Sequence, residues 1–206
     1  MAEVLKPGVT ALRKCIKALS AGKAIVYPTE TVYGLGADAT NKLAVKRLFE
    51  IKTRDPSKPM SIALADVSAA EKFAIFNDTA RMLAKKFLPG PLTLVLKARR
   101  SLPLITLKGT VGIRIPNHSF ALSLLRRFKK PITATSANVS GLRSAVLASD
   151  VHSRLWTNVE IVVDDSETKY RLESTVLDVT SDKPKILREG AIKKGAIENV
   201  LNTKIE

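Results

Sequence analysis

Residues 28–38 read PTETVYGLGAD and follow directly on the apolar run AIVY at 24–27. A plain turn after a strand needs two or three turn-forming residues, yet this stretch places a proline, two threonines, a glutamate and two glycines within nine positions. Pro28 fixes the backbone at the strand exit, and Gly34 and Gly36 permit close backbone approach or a positive φ. Taken alone, the stretch fits a decorated loop and a loop shaped around a ligand equally well.

Helical and strand-like segments alternate outward from this stretch in both directions, without an internal repeat or a Ser/Gly linker. The alternation predicts an α/β protein with one domain over residues 1–206, a twisted mixed sheet of parallel and antiparallel strands, and flanking helices. Asn41 is predicted to cap one helix, and Ser68 with Glu71 to form a capping box for another. Predicted helices are 9–21, 42–53, 79–88, 119–128, 145–155 and 196–202; predicted strands include 23–27, 59–65, 92–98, 110–116, 131–136, 159–165 and a hairpin, 174–180 with 183–189.

The composition bounds the class of protein. With 34 Lys and Arg against 19 Asp and Glu, the chain carries a net charge of +15, which favours an anionic partner such as nucleic acid, nucleotide or an acidic membrane surface. A lysine-rich solvated surface is the alternative. The chain has no apolar stretch of about 20 residues, the length needed to span a membrane, and no secretory signal. One cysteine excludes an internal disulfide. A cytoplasmic protein is expected.

Basic and hydroxyl side chains recur where the predicted strands begin or end. KTRDPSKPM places Lys52, Arg54 and Lys58 around a proline-stiffened loop, an arrangement suited to phosphate oxygens. Arg114 lies inside an apolar strand, where it requires a compensating anion, either a carboxylate or a ligand. A ligand anion is favoured over a structural salt bridge. Further candidates are Thr110, Ser136, Asn138, Ser140, Ser174 and Arg188.

Seven motifs together, from YPTETVYGLGA to ILREGAI, resemble the YrdC/TsaC family of L-threonylcarbamoyladenylate synthases. The others are KTRDPSKPM, LPGPLTLVL, VGIRIPNH, TATSANVSG and ESTVLDVT. The resemblance runs from about residue 10 to residue 190 and implies the short, single-domain form with a YrdC-like fold. It implies an enzyme that joins L-threonine, bicarbonate and ATP into threonylcarbamoyl-AMP and pyrophosphate. A separate transferase complex would then modify tRNA.

The resemblance also assigns roles to residues. It implies threonine contacts at Thr31, Arg114, Ala134 and Ser174. It implies nucleotide contacts at Arg54, Lys58, Thr110, Ser136, Ser144 and Arg188. Lys52 and Arg54 are expected to stabilise charge during catalysis, with Mg²⁺ carried by the ATP phosphates, no metal site on the protein and no general base identified.

Two departures from the family pattern concern the site. Ala63 stands where some members carry histidine, and the loop Asp165 to Glu173 lacks the glycine pair that many members have before ESTV. Two rival functions remain. One is a basic module that binds tRNA or double-stranded RNA without catalysis, and the other is a related carbamoyl-transfer domain without threonine selectivity.

Overall fold

The computed structural model describes residues 2–102, 105 and 108–205. The strands are β1 Glu3–Leu5, β2 Ile25–Tyr27, β3 Gly34–Gly36, β4 Ser61–Ala63, β5 Ala74–Ile75, β6 Leu92–Ala98, β7 Thr110–Arg114, β8 Ile132–Ser136, β9 Ile161–Val163, β10 Thr175–Asp178 and β11 Lys185–Arg188. The helices are α1 Val9–Ser20, α2 Lys42–Lys52, α3 Val67–Ala70, α4 Asp78–Phe87, α5 Ser119–Phe128, α6 Ser153–Trp156 and α7 Lys194–Leu201, with a 3₁₀ turn at Ala148–Asp150.

The strands form a mixed sheet in the order β1-β9-β2-β3-β8-β4-β7-β6-β10-β11, with β5 paired to β6. β2 and β1 lie parallel to β9, β4 lies parallel to β7, and β10 lies parallel to β6. β10 and β11 form the antiparallel hairpin that the sequence predicts. The predicted α/β class with a mixed sheet and flanking helices is therefore confirmed.

Local signals set several helix ends as expected. The Asn41 side chain accepts hydrogen bonds from the backbone N–H groups of Leu43 and Ala44, which caps α2. Gly22, just beyond the end of α1, has φ +71°, a left-handed conformation that favours glycine. α5 matches its predicted range of 119–128.

Other local predictions are wrong. The N-cap of α3 is Asp66, whose side chain accepts from Ala69 N–H, so Ser68 and Glu71 do not form a capping box. The helix predicted over 145–155 is instead a 3₁₀ turn followed by the short α6, which His152 caps through its side chain. Asp150 accepts from Val146 and Leu147 N–H, and these bonds hold the segment in a turn.

The two glycines of the opening stretch are strand residues. β3 pairs antiparallel with β2, and the ring of Tyr27 covers Gly34 and Gly36. An added Cβ would lie 2.8 Å from the Tyr27 ring at Gly34 and 2.7 Å from Ile132 at Gly36, closer than real contacts allow. Neither glycine has a positive φ, so of the two alternatives that the sequence offered, close approach is the one that the structure shows.

Helices cover both faces of the sheet. α1 and α5 pack together over one face through Cys15, Leu19, Ala121 and Leu124, while the larger apolar cluster, which includes Leu48 and Leu83, lies around α2 and α4. Among the described residues, no helix has both the length and the apolar character that crossing a membrane requires.

Candidate active site

A cavity of about 710 Å³ opens on the sheet, with strand residues as its floor and loops as its walls. The turn after β2, the loop after α2, the loop after β8 and the end of the 165–173 loop contribute its walls. Nearly all the candidate residues from the sequence line it: Thr31, Lys52, Arg54, Lys58, Thr110, Arg114, Ala134, Ser136, Asn138, Ser140, Ser174 and Arg188. Ser144 does not line the cavity. The sequence therefore predicted the composition of the cavity well, while the roles of its residues stay predictions.

Strand register brings distant residues into one row across the floor. Ala63 of β4 pairs with Arg114 of β7, which pairs with Thr93 of β6. Thr93 pairs with Val176 of β10, and Val176 with Arg188 of β11. Because paired residues point to the same face of a sheet, five residues separated by up to 125 positions in the chain meet along one line.

Gly112 keeps the middle of the floor low. A Cβ at this position would lie 2.3 Å from the Ser61 hydroxyl on the neighbouring strand. Any larger residue would displace Ser61 or raise the floor, so the glycine maintains the depth of the cavity.

The turn between β2 and β3 is shaped by Thr29. Its hydroxyl donates to the Val32 carbonyl at 2.6 Å and accepts from Thr31 N–H at 3.2 Å. The Thr29 and Thr31 hydroxyls lie 3.0 Å apart. Thr29 therefore maintains the turn, which places the Thr31 hydroxyl at the cavity wall beside Arg114.

Arg114 has a protein carboxylate as its partner. Its Nη2 donates to Glu30 Oε1 at 2.6 Å and to Thr31 Oγ1 at 3.3 Å. The sequence favoured a ligand anion over a protein carboxylate for this cation, whereas the structure supplies the carboxylate of Glu30. Nη1 is also buried, yet it has no hydrogen-bond partner among the residues that the structure describes. Arg114, which lines the cavity, can therefore donate to a further anion through Nη1.

Lys52 is almost fully buried, at 1% exposure, and its ammonium group faces three oxygens. Nζ donates to the Ser136 carbonyl, to the Asn138 carbonyl at 2.7 Å and to Asn138 Oδ1 at 2.9 Å. Burial, assisted by the charge of Arg54, lowers the pKa of Lys52 to about 7, while Glu173 acts in the opposite direction. These contacts use all three N–H bonds of an ammonium group, so Lys52 holds the loop after β8 in place.

Arg54 ties down the loop that follows α2. Nε donates to the Lys58 carbonyl and Nη2 to the Pro59 carbonyl, both at 2.9 Å. Burial and the nearby charge of Arg188 lower the pKa of Arg54. Lys58 is exposed on the same loop. A set of cations from three separate elements thus meets at this end of the cavity.

Glu173 lies among these cations, and the sequence analysis did not single it out. Its Oε1 accepts from the Ser144 hydroxyl at 2.6 Å, and its Oε2 forms an ion pair with Arg188. Arg188 also donates to the Ser174 carbonyl at 2.8 Å. Ser144, predicted as a nucleotide contact, thus meets the cavity through Glu173. The signal in the sequence that could have identified Glu173 is its position directly before Ser174 in the ESTV motif.

The segment 165–173 is anchored over the turn after β2. Tyr33 Oη donates to the Asp165 carbonyl at 3.0 Å, and Thr168 N–H donates to the Val146 carbonyl at 3.0 Å. Tyr170 N–H donates to the Glu30 carbonyl at 2.9 Å. A loop whose shape the sequence left open therefore rests on the residues that surround Arg114.

Comparisons with known proteins agree with this architecture. Residues 17–190 match the Sua5/YciO/YrdC family, whose description reads "telomere recombination". The threonylcarbamoyl-AMP synthase of Pyrococcus abyssi is 43% identical over 183 residues, which are 87% of this chain and 54% of that relative. A putative threonylcarbamoyl-AMP synthase of Methanocaldococcus jannaschii is 38% identical over 178 residues, 85% of this chain and 84% of the relative.

Solved structures share the fold across the chain. Pyrococcus abyssi Sua5 in complex with L-threonine aligns with a TM-score of 0.93 and 38% identity, covering 100% of this chain and 62% of that one. Escherichia coli YciO aligns with a TM-score of 0.87 and 25% identity, covering 96% and 100%. This chain thus spans about half the length of the Pyrococcus abyssi synthase that it matches.

The sheet order and the cationic cavity on its face define an α/β protein whose sheet carries an extended, ligand-sized site. The chain belongs to the Sua5/YciO/YrdC family.

Proposed function

We propose that this protein makes threonylcarbamoyl-AMP and pyrophosphate from L-threonine, bicarbonate and ATP. The observation that carries the proposal is a single cavity that joins Arg114 and Thr31 to the cations Arg54, Lys58 and Arg188. An amino acid carboxylate suits the first group, and a triphosphate suits the second. The synthase names of the relatives and the L-threonine in the Sua5 complex support the same reading.

The threonine end is assigned to Thr31, Arg114, Ala134 and Ser174. Nη1 of Arg114, which has no partner among the described residues, suits the carboxylate, and the Thr31 hydroxyl at 3.3 Å from Nη2 lies close enough to contact the same ligand. Ser174 Oγ lies 2.8 Å from Thr93 Oγ1 on the floor. Ala63, which stands where some family members carry histidine, lies beside Arg114 in the floor and adds an apolar surface against which a methyl group can pack.

The nucleotide end is assigned to Arg54, Lys58, Thr110, Ser136 and Arg188, with Ser144 acting through Glu173. In the proposed reaction, the threonine amine attacks bicarbonate to give a carbamate and water. A carbamate oxygen then attacks the α-phosphorus, the bond to the β-phosphate breaks, and pyrophosphate leaves. Mg²⁺ bound to the phosphates would neutralise part of their charge. Fixed guanidinium groups stabilise the charge that grows on the phosphate oxygens.

Lys52 supports this end by holding the loop after β8 rather than by facing phosphate. Its three N–H bonds already meet protein oxygens, so it is assigned as a positioning residue and not as the charge-stabilising catalytic residue that the sequence suggested. No general base is assigned, because positioning the carbamate beside the α-phosphate supplies much of the rate in such displacements.

Pyrophosphate release tests the proposal. Release should require ATP, bicarbonate and L-threonine together, and L-serine should be a poorer substrate by about 1–3 kcal/mol, the usual discrimination for one methyl-sized group. Equal turnover with glycine, serine and threonine would refute the threonine pocket. ATP hydrolysis that is independent of any amino acid would refute the synthase.

A second candidate function is binding of RNA, and the packed helices α1 and α5 favour it. Neither helix carries an acidic residue, while Arg13, Lys17, Arg126 and Arg127 are exposed on them. The proposed product would serve a transferase complex that modifies tRNA in the cytoplasm, so both functions could meet in one protein. Binding of tRNA or double-stranded RNA should weaken steeply as salt increases, because cations that contact phosphates release counterions. RNA binding without threonine-dependent turnover would favour this second function alone.

A further inference from the structure

Glu30 and Arg114 form a buried ion pair in which each partner keeps one unused polar atom. Glu30 is 4% exposed and Arg114 5% exposed. Among the described residues, only four buried side-chain polar atoms have no hydrogen-bond partner, and two of them are Glu30 Oε2 and Arg114 Nη1. Buried polar atoms are nearly always satisfied in folded proteins, so two unused atoms on one ion pair require an explanation.

Another buried carboxylate, at a residue bridged to Ile132 of β8, shows what a purely structural pair looks like. Asp38 pairs with Lys130 at 2.9 Å through Oδ2, and its Oδ1 accepts from both the backbone N–H and the hydroxyl of Thr40. Both oxygens of Asp38 are therefore satisfied. In the Glu30–Arg114 pair, by contrast, Glu30 Oε2 has no hydrogen-bond partner among the described residues, although this pair is more deeply buried than Asp38–Lys130.

Glu30 also connects Arg114 to the 165–173 loop. Its side chain accepts from Arg114 Nη2, and its backbone carbonyl accepts from Tyr170 N–H. Because one residue makes both contacts, the orientation of the guanidinium and the placement of the loop above it depend on the same residue.

We propose that Glu30 is a positioning residue for the amino acid substrate. Its carboxylate accepts the hydrogen bond from Nη2 of Arg114 and so leaves Nη1 directed at the substrate carboxylate. Its backbone carbonyl holds the 165–173 loop beside the same guanidinium. This inference rests on the proposed function. Without Glu30, the guanidinium would keep only the 3.3 Å contact to Thr31 and would turn towards cavity water, since an uncompensated buried cation is unfavourable.

Removal of the negative charge has a competing effect, because it strengthens the attraction of Arg114 for any anion. We expect loss of orientation to outweigh this effect even in Glu30→Gln, because a neutral amide oxygen holds Nη2 more weakly than a carboxylate does, and carboxylate recognition by a guanidinium depends on a fixed planar geometry. The two effects predict opposite changes in the KM for threonine, so the measurement decides between them.

The test compares Glu30→Gln with the matched control Asp38→Asn, which neutralises a buried paired carboxylate outside the cavity. Melting temperature and the KM values for L-threonine and ATP are measured by pyrophosphate release. Glu30→Gln should raise the KM for threonine at least tenfold and leave the KM for ATP within twofold. Asp38→Asn should lower the melting temperature and leave both KM values within twofold.

If Glu30→Gln fails to fold, Glu30→Asp carries the same test, because it keeps the charge and withdraws the carboxylate from Arg114. A smaller but selective rise in the KM for threonine is then expected. An unchanged or lower KM for threonine in a folded Glu30 variant would overturn the inference while leaving the synthase intact. Wild-type protein without threonine-dependent release would overturn the proposed function and this inference with it.

Discussion

Glu173 and Arg188 form an ion pair that lines the cavity, at the end that the proposed function assigns to the nucleotide. The Ser144 hydroxyl donates to the same carboxylate at 2.6 Å. The Glu173 carboxylate is thus paired with Arg188, a cation that the proposed function assigns to ATP. Binding of ATP must therefore separate this pair or share Arg188 with it.

Glu173→Gln should consequently improve binding of ATP. The variant keeps a hydrogen-bond acceptor for Ser144 but removes a negative charge from among Lys52, Arg54 and Arg188. Because both partners are partly exposed, the gain should be modest, about two- to fivefold in the KM for ATP. Glu189→Gln, which neutralises a neighbouring acid paired with Lys193, is the control and should have no effect. A higher KM for ATP in Glu173→Gln would show that the carboxylate assists the nucleotide.

Lys52 should make stability depend on pH. Burial lowers its pKa in the folded state to about 7, whereas the unfolded chain titrates near its ordinary value of about 10.4. Between these values the unfolded state binds more protons, so the contribution of Lys52 to the free energy of unfolding rises with pH. Below about pH 7 both states are protonated, and the unfavourable burial of the charge is fully present.

The measurement is chemical denaturation of wild type and Lys52→Met at pH 6, 7.5 and 9, which run from below the folded pKa into the range between the two pKa values. The stability difference, wild type minus variant, should increase with pH. Lys58→Met, which replaces an exposed lysine, should show no such trend. A flat difference for Lys52→Met would mean that its three oxygen partners keep the ammonium charged throughout.

Arg54 should matter more for ATP than Lys58. Arg54→Ala removes a cation and also the two hydrogen bonds that hold the loop at Lys58 and Pro59. Lys58→Ala removes only an exposed charge. We expect a rise in the KM for ATP of at least tenfold, about 1.4 kcal/mol, for Arg54→Ala and a few-fold rise for Lys58→Ala. The KM for threonine should stay nearly constant, and Lys46→Ala on α2 is the exposed control. If both variants show wild-type kinetics at limiting ATP, Arg54 and Lys58 do not bind ATP and belong to the solvated surface.

Arg114→Lys separates binding of the substrate carboxylate from the ion pair with Glu30. A lysine can still pair with Glu30, but it lacks the second planar N–H group that Nη1 provides. Affinity for threonine should fall at least tenfold, about 1.4 kcal/mol, and ATP binding should change little. If the variant only melts at a lower temperature and binds threonine as the wild type does, Arg114 serves the fold alone.

The sequence predicted the sheet and most of the cavity because both depend on local patterns. Segments predicted as strands, such as 92–98 and 131–136, are strands in the structure at Leu92–Ala98 and Ile132–Ser136, and the basic segment after α2 lines the cavity as expected. Strand pairing then brings these segments together. The pairing cannot be predicted from any one segment, because it depends on contacts between segments that are distant in the sequence. The row from Ala63 to Arg188 therefore became visible only in the structure.

Contacts between distant carboxylates and cations were the part that the sequence could not supply. Nothing in the local sequence shows which cations Glu30 and Glu173 pair with. Their partners Arg114 and Arg188 lie 84 and 15 positions away in the chain. The short strand β3 was hidden for a different reason. Its glycines read as turn residues, although they are in fact the surface on which the Tyr27 ring packs.

Incorporation of labelled bicarbonate tests the central claim most directly. The protein is incubated with ATP, Mg²⁺, L-threonine and ¹³C-bicarbonate, and the nucleotide products are analysed by mass spectrometry. The account predicts threonylcarbamoyl-AMP that carries the ¹³C label, formed in equal amount to pyrophosphate and lost in Arg114→Lys at low threonine. Pyrophosphate or AMP that forms without any labelled threonylcarbamoyl-AMP would contradict it.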